Sequence, residues 1–302
     1  MLVVGMHRSG TSALTGALGC LGLGLPAPDD LVAGRYDNPV HYESQALTDL
    51  DDAMLRALGG SWSAPPTLAP GWESSAAVLE VSRGAARAAR RAFPSDGPVV
   101  WKDPRLCLLL PAWRAILPAT VATVLLWRSP LAVARSLRSR QGFPLSLGLA
   151  LWEHYTRAAL DGLAGHATYV MGYDALLSDP RAAIEPLAQW LGAGGRVPIS
   201  ADDDTLSEAA KTITGSLSRH DGEGDLPEVL VRAVDTLTML AGPVDNVPTV
   251  TMADPPAWMA DVIAQRRDYE DLYARYMRYV RWRRRIPFIG GPARSRQAGG
   301  AR

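Results

Sequence analysis

The chain has 302 residues, 47% of them hydrophobic, which is enough to bury one large core. Lys plus Arg equal Asp plus Glu at 31 each, so the overall charge points to neither a nucleic-acid nor a membrane partner, and any anion site must be built locally. No apolar run approaches the roughly 18 to 20 residues of a membrane span, and "MLVVG" is too short and too weakly basic for a signal peptide, so the expected location is the cytoplasm.

Along the chain, buried-strand runs at 2–5, 98–101, 120–127 and 167–171 alternate with helical patterns near 12–22, 44–58, 74–92, 130–140, 145–164 and 181–191. That alternation predicts an α/β fold, a parallel sheet flanked by helices, with additional C-terminal helices. One domain over 1–285 is expected, with its core in 1–192 and a helical C-terminal part in 193–285. In that part "LGAGGRVPISADDD" reads as an exposed linker, and helices near 226–241 and 256–284 flank a Pro-broken stretch. The basic end of the last helix, "RYMRYVRWRRR", reads either as a solvated face or as a patch for an anionic partner, and 286–302 as a disordered basic, Gly-rich tail. Cys20 and Cys107 sit in apolar surroundings without metal or redox spacing, which predicts buried thiols in a reducing compartment.

Each strand run ends at a polar cluster: "HRSGTS", "KDPR", "RS" and "GYD". Ligands of open α/β sheets sit at the carboxyl ends of the strands, so the clusters are expected to converge on one crevice. The first cluster belongs to "GMHRSGTSALTGAL", residues 5–18, which nearly matches the phosphate loop G-x-x-x-x-G-K-[ST] with Gly5, Gly10 and Ser12 in place. A strand, a glycine turn and a helix start aim backbone N–H groups and the positive end of the helix dipole at an anion. Where phosphoryl transfer needs lysine there is Thr11, and Asp103, the strand-end carboxylate that could hold magnesium, is bracketed by Lys102 and Arg105. A small-molecule kinase with an altered loop therefore stands behind, as does a non-catalytic nucleotide-binding module.

The loop "GMHRSGTSAL" resembles the 5′-phosphosulfate loop of the sulfotransferases that use 3′-phosphoadenosine 5′-phosphosulfate (PAPS), many of which carry P-R-S-G-T-[ST] there. "LLWRSPLAVARSL" is similar to a second signature of that family, an Arg at a strand end followed eight residues later by a Ser, here Arg128 and Ser136. "VMGYDALLSDP" is similar to the family's Tyr-Glu-Asp-Leu segment, with Tyr173 and Asp174 at the matching places. With "WKDPR" the resemblance covers roughly residues 1–192, and weakly "SLSRH" at 216–220.

The resemblance implies a P-loop-like fold and transfer of a sulfuryl group from PAPS to a hydroxyl of a small molecule, natural product or glycan. Adenosine 3′,5′-bisphosphate is the product, and no metal is required. It implies that Arg8, Ser9, Gly10, Thr11 and Ser12 hold the 5′ end of the donor and that Arg128 and Ser136 hold the 3′-phosphate. Arg140, one turn past Ser136 on the same face, can join them. Tyr173, Ser218 and Arg219 are further contacts. Catalysis needs a base and cations that neutralise the leaving phosphate. The base is Glu43 or His41, and the cations are Arg8 and Lys102, the latter alternatively salt-bridged to Asp103 or a neighbouring acid. His7 is a shape or hydrogen-bonding residue, and Arg105 pairs with Asp37 or binds an acidic acceptor. The segment 22–75, with Trp62 and Trp72, is expected to line the acceptor pocket, where aromatic walls suit a sugar or an aryl ring about equally. The Ala, Arg and Gly bias suggests a GC-rich bacterial genome, and the oligomeric state stays open.

Overall fold

The computed structural model describes residues 1–34, 40–94, 96–117, 121–193, 196–199, 201–214 and 222–285. Its centre is a sheet in the order β2-β1-β3-β4-β5. The strands are β1 (Leu2–Val4), β2 (Trp101–Lys102), β3 (Thr123–Trp127), β4 (Thr168–Gly172) and β5 (Gly242–Val244). The first four are parallel, with Leu2 opposite both Trp101 and Thr123 and Val170 opposite Leu125. β5 runs antiparallel to β4, so the sheet is mostly rather than wholly parallel.

The helices are α1 (Thr11–Cys20), α2 (Gln45–Ala57), α3 (Ala76–Ser82), α4 (Ala85–Ala92), α5 (Leu106–Arg114) and α6 (Pro130–Gln141), followed by α7 (Leu145–Leu163), α8 (Tyr173–Ser178), α9 (Pro180–Gly192), α10 (Asp203–Thr212), α11 (Glu228–Met239) and α12 (Ala257–Arg285). They cover both faces of the sheet. Successive strand side chains point to opposite faces, and the core divides accordingly. Leu2, Val4, Leu125 and Val170 pack into one apolar cluster with α5, α7 and α11. Val3, Val124, Leu126, Tyr169 and Met171 pack into the other with α1, α9 and α10. Burial on both faces is why the strands read as continuous apolar runs rather than as alternating ones.

Three expectations need correction. The helical pattern over 74–92 is two helices, broken at Arg83 and Gly84. α5 was not anticipated: seven of its nine residues are buried, so it has no polar face to give a helical period, and Pro111 lies inside it. α10 begins inside the stretch read as an exposed linker, capped by Asp202, whose carboxylate accepts from the Thr205 N–H at 2.8 Å. Cys107 is buried, its thiol pushed up to about 12 by burial, whereas Cys20 is only half-buried. Among the described residues no helix is long and apolar enough to cross a membrane.

The strand order matters for the site. β1 lies between β2 and β3, so the chain leaves β1 toward one side, comes back past it after β2, and continues on the other. At such a switch point the loops at the carboxyl ends of β1 and β3 diverge and leave a crevice between them. Gly5 allows the close approach there: a Cβ on it would lie 2.3 Å from the Leu126 carbonyl oxygen of β3.

Candidate active site

A cleft of about 430 Å³ opens at these strand ends. His7, Arg8, Gly10, Thr11 and Ser12 come from the loop after β1, Lys102 and Pro104 from the end of β2, and Arg128 from the end of β3. Tyr173 follows β4, Arg140 and Gln141 end α6, His41, Tyr42 and Glu43 precede α2, Thr212 ends α10 and Thr214 lies just past it. Residues scattered over two hundred positions thus meet where the strand ends were expected to bring them.

The loop after β1 has the backbone of an anion cradle. Gly10 is the N-cap of α1 at φ 85°, no side chain caps the helix, and no acid lies in its first turn. The first N–H groups of the helix have no intrahelical acceptor and carry the positive end of its dipole into the cleft. Only glycine fits at position 10, because a Cβ would lie 2.1 Å from two ring carbons of Tyr173. Arg8 also adopts a left-handed conformation, φ 71°, which costs a non-glycine residue roughly 1 kcal/mol. Its side chain and backbone hold it there: Nε donates to Ser136 Oγ at 2.9 Å, and its carbonyl oxygen accepts from Arg128 Nη1 at 3.3 Å.

These contacts tie the β1 loop, the end of β3 and α6 into one cationic corner. Arg128 is buried, which holds its guanidinium below the usual arginine range. Its Cζ lies 4.9 Å from the Tyr173 ring centroid, a cation–π arrangement, and its backbone carbonyl accepts from Trp152 Nε1 at 2.8 Å. Burial also raises the Tyr173 phenol above its ordinary value. A buried arginine fixed at the carboxyl end of a strand is pre-organised for charge-assisted bonds to a phosphate. Arg140, from the last turn of α6, approaches His41 Nε2 at 3.4 Å, and Ser12 Oγ donates to the His41 carbonyl at 3.1 Å.

At the other side of the cleft Lys102 Nζ lies 2.5 Å from Glu43 Oε1, with the lysine buried and the glutamate 13% exposed. Lys102 therefore pairs with Glu43 and not with its neighbour Asp103. Asp103 is buried beneath, accepting from Thr48 Oγ1 at 3.0 Å and from the Arg105 backbone and guanidinium. Arg105 is nearly buried between Asp103 and Asp52, 2.6 Å from the latter. It does not line the cleft, which corrects its assignment to an acidic acceptor; Asp37, the other partner considered, lies outside the described residues.

Ser9 and Trp72 are not among the residues that line the cleft. The Ser9 hydroxyl is buried without a hydrogen-bond partner in a small apolar space with Cys107, Trp127 and Trp152, so it faces the core beneath the loop. The Ser9 N–H donates to the Met6 carbonyl at 3.2 Å. Trp72 packs against the core cluster and does not line the cleft, whereas Trp62 does. The Trp62 ring stands 4.6 Å from the ring of His7 and stacks on Phe143 at 5.8 Å. The His7 imidazole is held well below its usual range, by burial first and then by Arg105, Lys102, Arg8 and Arg140. Ser136 meets the site through Arg8 and is not itself among the lining residues. Ser218 and Arg219 lie outside the described residues. Gln141, Thr212 and Thr214 line the cleft without having been anticipated, the two threonines because α10 itself was missed.

Among the described lining residues four fixed cations, Arg8, Lys102, Arg128 and Arg140, face one carboxylate, Glu43. Such a wall concentrates anions. Among the described residues no three His, Cys, Asp or Glu side chains gather so as to hold a metal ion.

No family model matches the sequence, and no curated protein matches it. Two solved structures are similar in fold. The sulfotransferase domain from the Synechococcus PCC 7002 olefin synthase is 17% identical, with a TM-score of 0.44 over 78% of this chain and 93% of that one. The sulfotransferase domain from the curacin biosynthetic pathway is 13% identical, with a TM-score of 0.47 over 79% of this chain and 97% of that one.

Proposed function

We propose that the protein is a PAPS-dependent sulfotransferase acting on a hydroxyl of a small molecule, natural product or glycan. The observation that carries this reading is the arrangement around the switch point of the sheet. An uncapped helix N-terminus and a buried arginine corner stand on one side, and the buried Lys102–Glu43 pair stands on the other. The residues fit the donor's chemistry, which is two anionic ends and no obligatory cation. The α1 N–H groups with Arg8, Thr11 and Ser12 suit the 5′-phosphosulfate, and Arg128, with Arg140, suits the 3′-phosphate.

When bound, PAPS supplies a sulfuryl group already attached to a phosphate leaving group. The chain's task is then to position, desolvate and move one proton. Glu43 takes the proton of the acceptor hydroxyl, and its carboxylate is held in place by Lys102. Lys102, with Arg8, neutralises charge that develops on the departing phosphate. His41 lines the cleft with Glu43 and is the alternative base.

The test is to incubate the protein with PAPS and a panel of phenols, sugars and alcohols, following product mass together with release of adenosine 3′,5′-bisphosphate. Sulfated product in step with bisphosphate release, lost in Glu43→Gln and Lys102→Met, is expected. Full activity in Glu43→Gln with loss in His41→Ala would move the base to His41. Magnesium-dependent phosphorylation of the same panel from ATP would replace this reading with a kinase.

A further inference from the structure

The first half of α12 and its second half lead different lives. Met259 and Ile263 are buried against the core, with Trp258 and Val262 beside them. Glu270 accepts from Ser61 Oγ at 2.7 Å and from Ser63 Oγ, Arg266 bonds Glu270 at 2.9 Å, and Arg267 Nη2 donates to the Pro65 carbonyl at 2.7 Å. This half is clamped to the segment that carries Trp62 into the wall of the cleft. From Asp271 onward the side chains described are exposed except those of Met277 and Val280, which are partly covered.

That second half is not an ordinary solvated helix. Tyr269, Leu272, Tyr273, Tyr276 and Tyr279 recur at helical spacing along one face, each between 49% and 66% exposed. Trp282, 60% exposed, extends the stripe through a ring contact with Tyr279 at 6.0 Å. Arg275, Arg278 and Arg281 are exposed on the other side of the helix, Arg275 nearest the stripe, and the exposed Arg283 donates to the Tyr279 hydroxyl. From Leu272 to Arg302 the sequence has nine arginines and no Asp or Glu, although the whole chain balances its charges at 31 each. Among the described residues Arg275, Arg278, Arg281 and Arg283 expose this charge at the end of α12, and the sequence before Leu272 carries the compensating acidic excess.

We propose that the second half of α12 is an interfacial helix that seats on an anionic lipid surface. Tyrosine and tryptophan rings stack their apolar bodies at the headgroup boundary while their polar edges stay wet, and arginines reach anionic headgroups from the flanks of the same helix. The charge separation orients the molecule toward a negative surface with this helix leading. Charge complementarity selects this occupant over the others. A second copy packed in parallel on the stripe would bring two net-positive helix ends together with no acid on either to offset them, and a nucleic acid meeting the arginine flank would leave the aromatic stripe bare. Because the first half of the helix is clamped to residues 61–65, docking holds the Trp62 wall of the cleft at a fixed place relative to the surface. The inference does not depend on the chemistry performed in the cleft.

Cosedimentation of the full chain with vesicles of phosphatidylcholine alone, or mixed with phosphatidylglycerol, tests it. Binding to the mixed vesicles only, weakening with added salt, is expected. The triple variant Arg275→Gln/Arg278→Gln/Arg281→Gln should bind on the order of a hundredfold more weakly. The variant Tyr273→Ser/Tyr276→Ser/Tyr279→Ser should also bind more weakly while keeping the salt dependence. All six positions are exposed, so circular dichroism of both variants should match the parent. Equal binding to neutral and anionic vesicles, anionic binding unchanged by the arginine substitutions, tighter binding to duplex DNA or RNA than to the mixed vesicles, or a dimer broken by the tyrosine variant in place of vesicle binding would each overturn the proposal.

Discussion

Replacing Gly10 by alanine puts a methyl group where the backbone and a neighbouring ring both refuse it. At φ 85° the residue is in the left-handed region, which costs alanine roughly 1 kcal/mol relative to glycine. The new Cβ would also lie 2.1 Å from Cδ2 and Cε2 of Tyr173, more than an ångström inside an ordinary contact. The ring has little room to retreat, being buried, with the Arg128 guanidinium 4.9 Å from its centroid. Overpacking of this kind costs typically 1 to 3 kcal/mol, so Gly10→Ala should destabilise the fold by about 2 to 4 kcal/mol. The two terms can be separated by a cycle with Tyr173→Leu, which gives the methyl group space but leaves the backbone strain. The double variant should be more stable than the sum of the single changes by about 1 to 3 kcal/mol, measured by urea denaturation. Additivity within about 0.5 kcal/mol would refute the idea that Tyr173 is laid against the loop through Gly10.

Ser9→Ala removes a buried hydroxyl that has no partner, so it should leave nucleotide affinity unchanged and stability equal or slightly higher. A tenfold loss of affinity in a titration calorimeter would place that hydroxyl in the cleft after all. His154, in α7, has its pKa lowered to about 4 by burial and then by Arg157 and Arg267. Below its ordinary value the unfolded chain therefore takes up a proton that the folded chain refuses. The associated stability is fully present above about pH 6.5 and is lost as pH falls toward 4, by at most about 3 kcal/mol. His154→Phe should flatten that part of the pH–stability profile, and an unchanged slope would show that other groups set it. Glu270→Ala releases Ser61 from α12 and leaves Ser63 only its longer bonds to Arg266, so it should raise the hydrogen exchange of residues 60–66 without altering that of β1 or β3; uniform protection in the variant would show that the Glu270 clamp is not needed.

The placement of the cleft was legible because each signal in it is local. A short apolar run followed by Gly-x-x-x-x-Gly is a strand, a tight turn and a helix start, and "LLWRSP" is a strand ending on a cation; two such ends on neighbouring parallel strands must lie close together. The pairing of Lys102 with Glu43, by contrast, depends on how a segment 59 residues upstream crosses the strand ends, and nothing in "WKDPR" distinguishes Glu43 from Asp103 as its partner. The direction of the Ser9 side chain was not legible for a related reason. The left-handed turns at Arg8 and Gly10 rotate successive side chains to opposite sides of the loop, and a non-glycine left-handed residue leaves no mark in the sequence. α5 was hidden by its own burial, since a helix apolar all round has no period, and β5 is a three-residue edge strand, Gly-Pro-Val, held by pairing with β4 rather than by propensity.

The proposed function requires that this cleft hold a nucleotide phosphorylated at both its 3′ and 5′ positions through arginine, lysine and backbone N–H groups. Calorimetric titration of adenosine 3′,5′-bisphosphate against ADP and ATP, with EDTA present and then with magnesium, on the parent protein and on Arg128→Ala, tests it most directly. Tight binding of the bisphosphate in EDTA, indifferent to magnesium, is expected, with a loss of at least a hundredfold in Arg128→Ala, as removal of a buried charge-assisted contact should give. Preference for ATP in the presence of magnesium, or bisphosphate binding that survives Arg128→Ala, would contradict it.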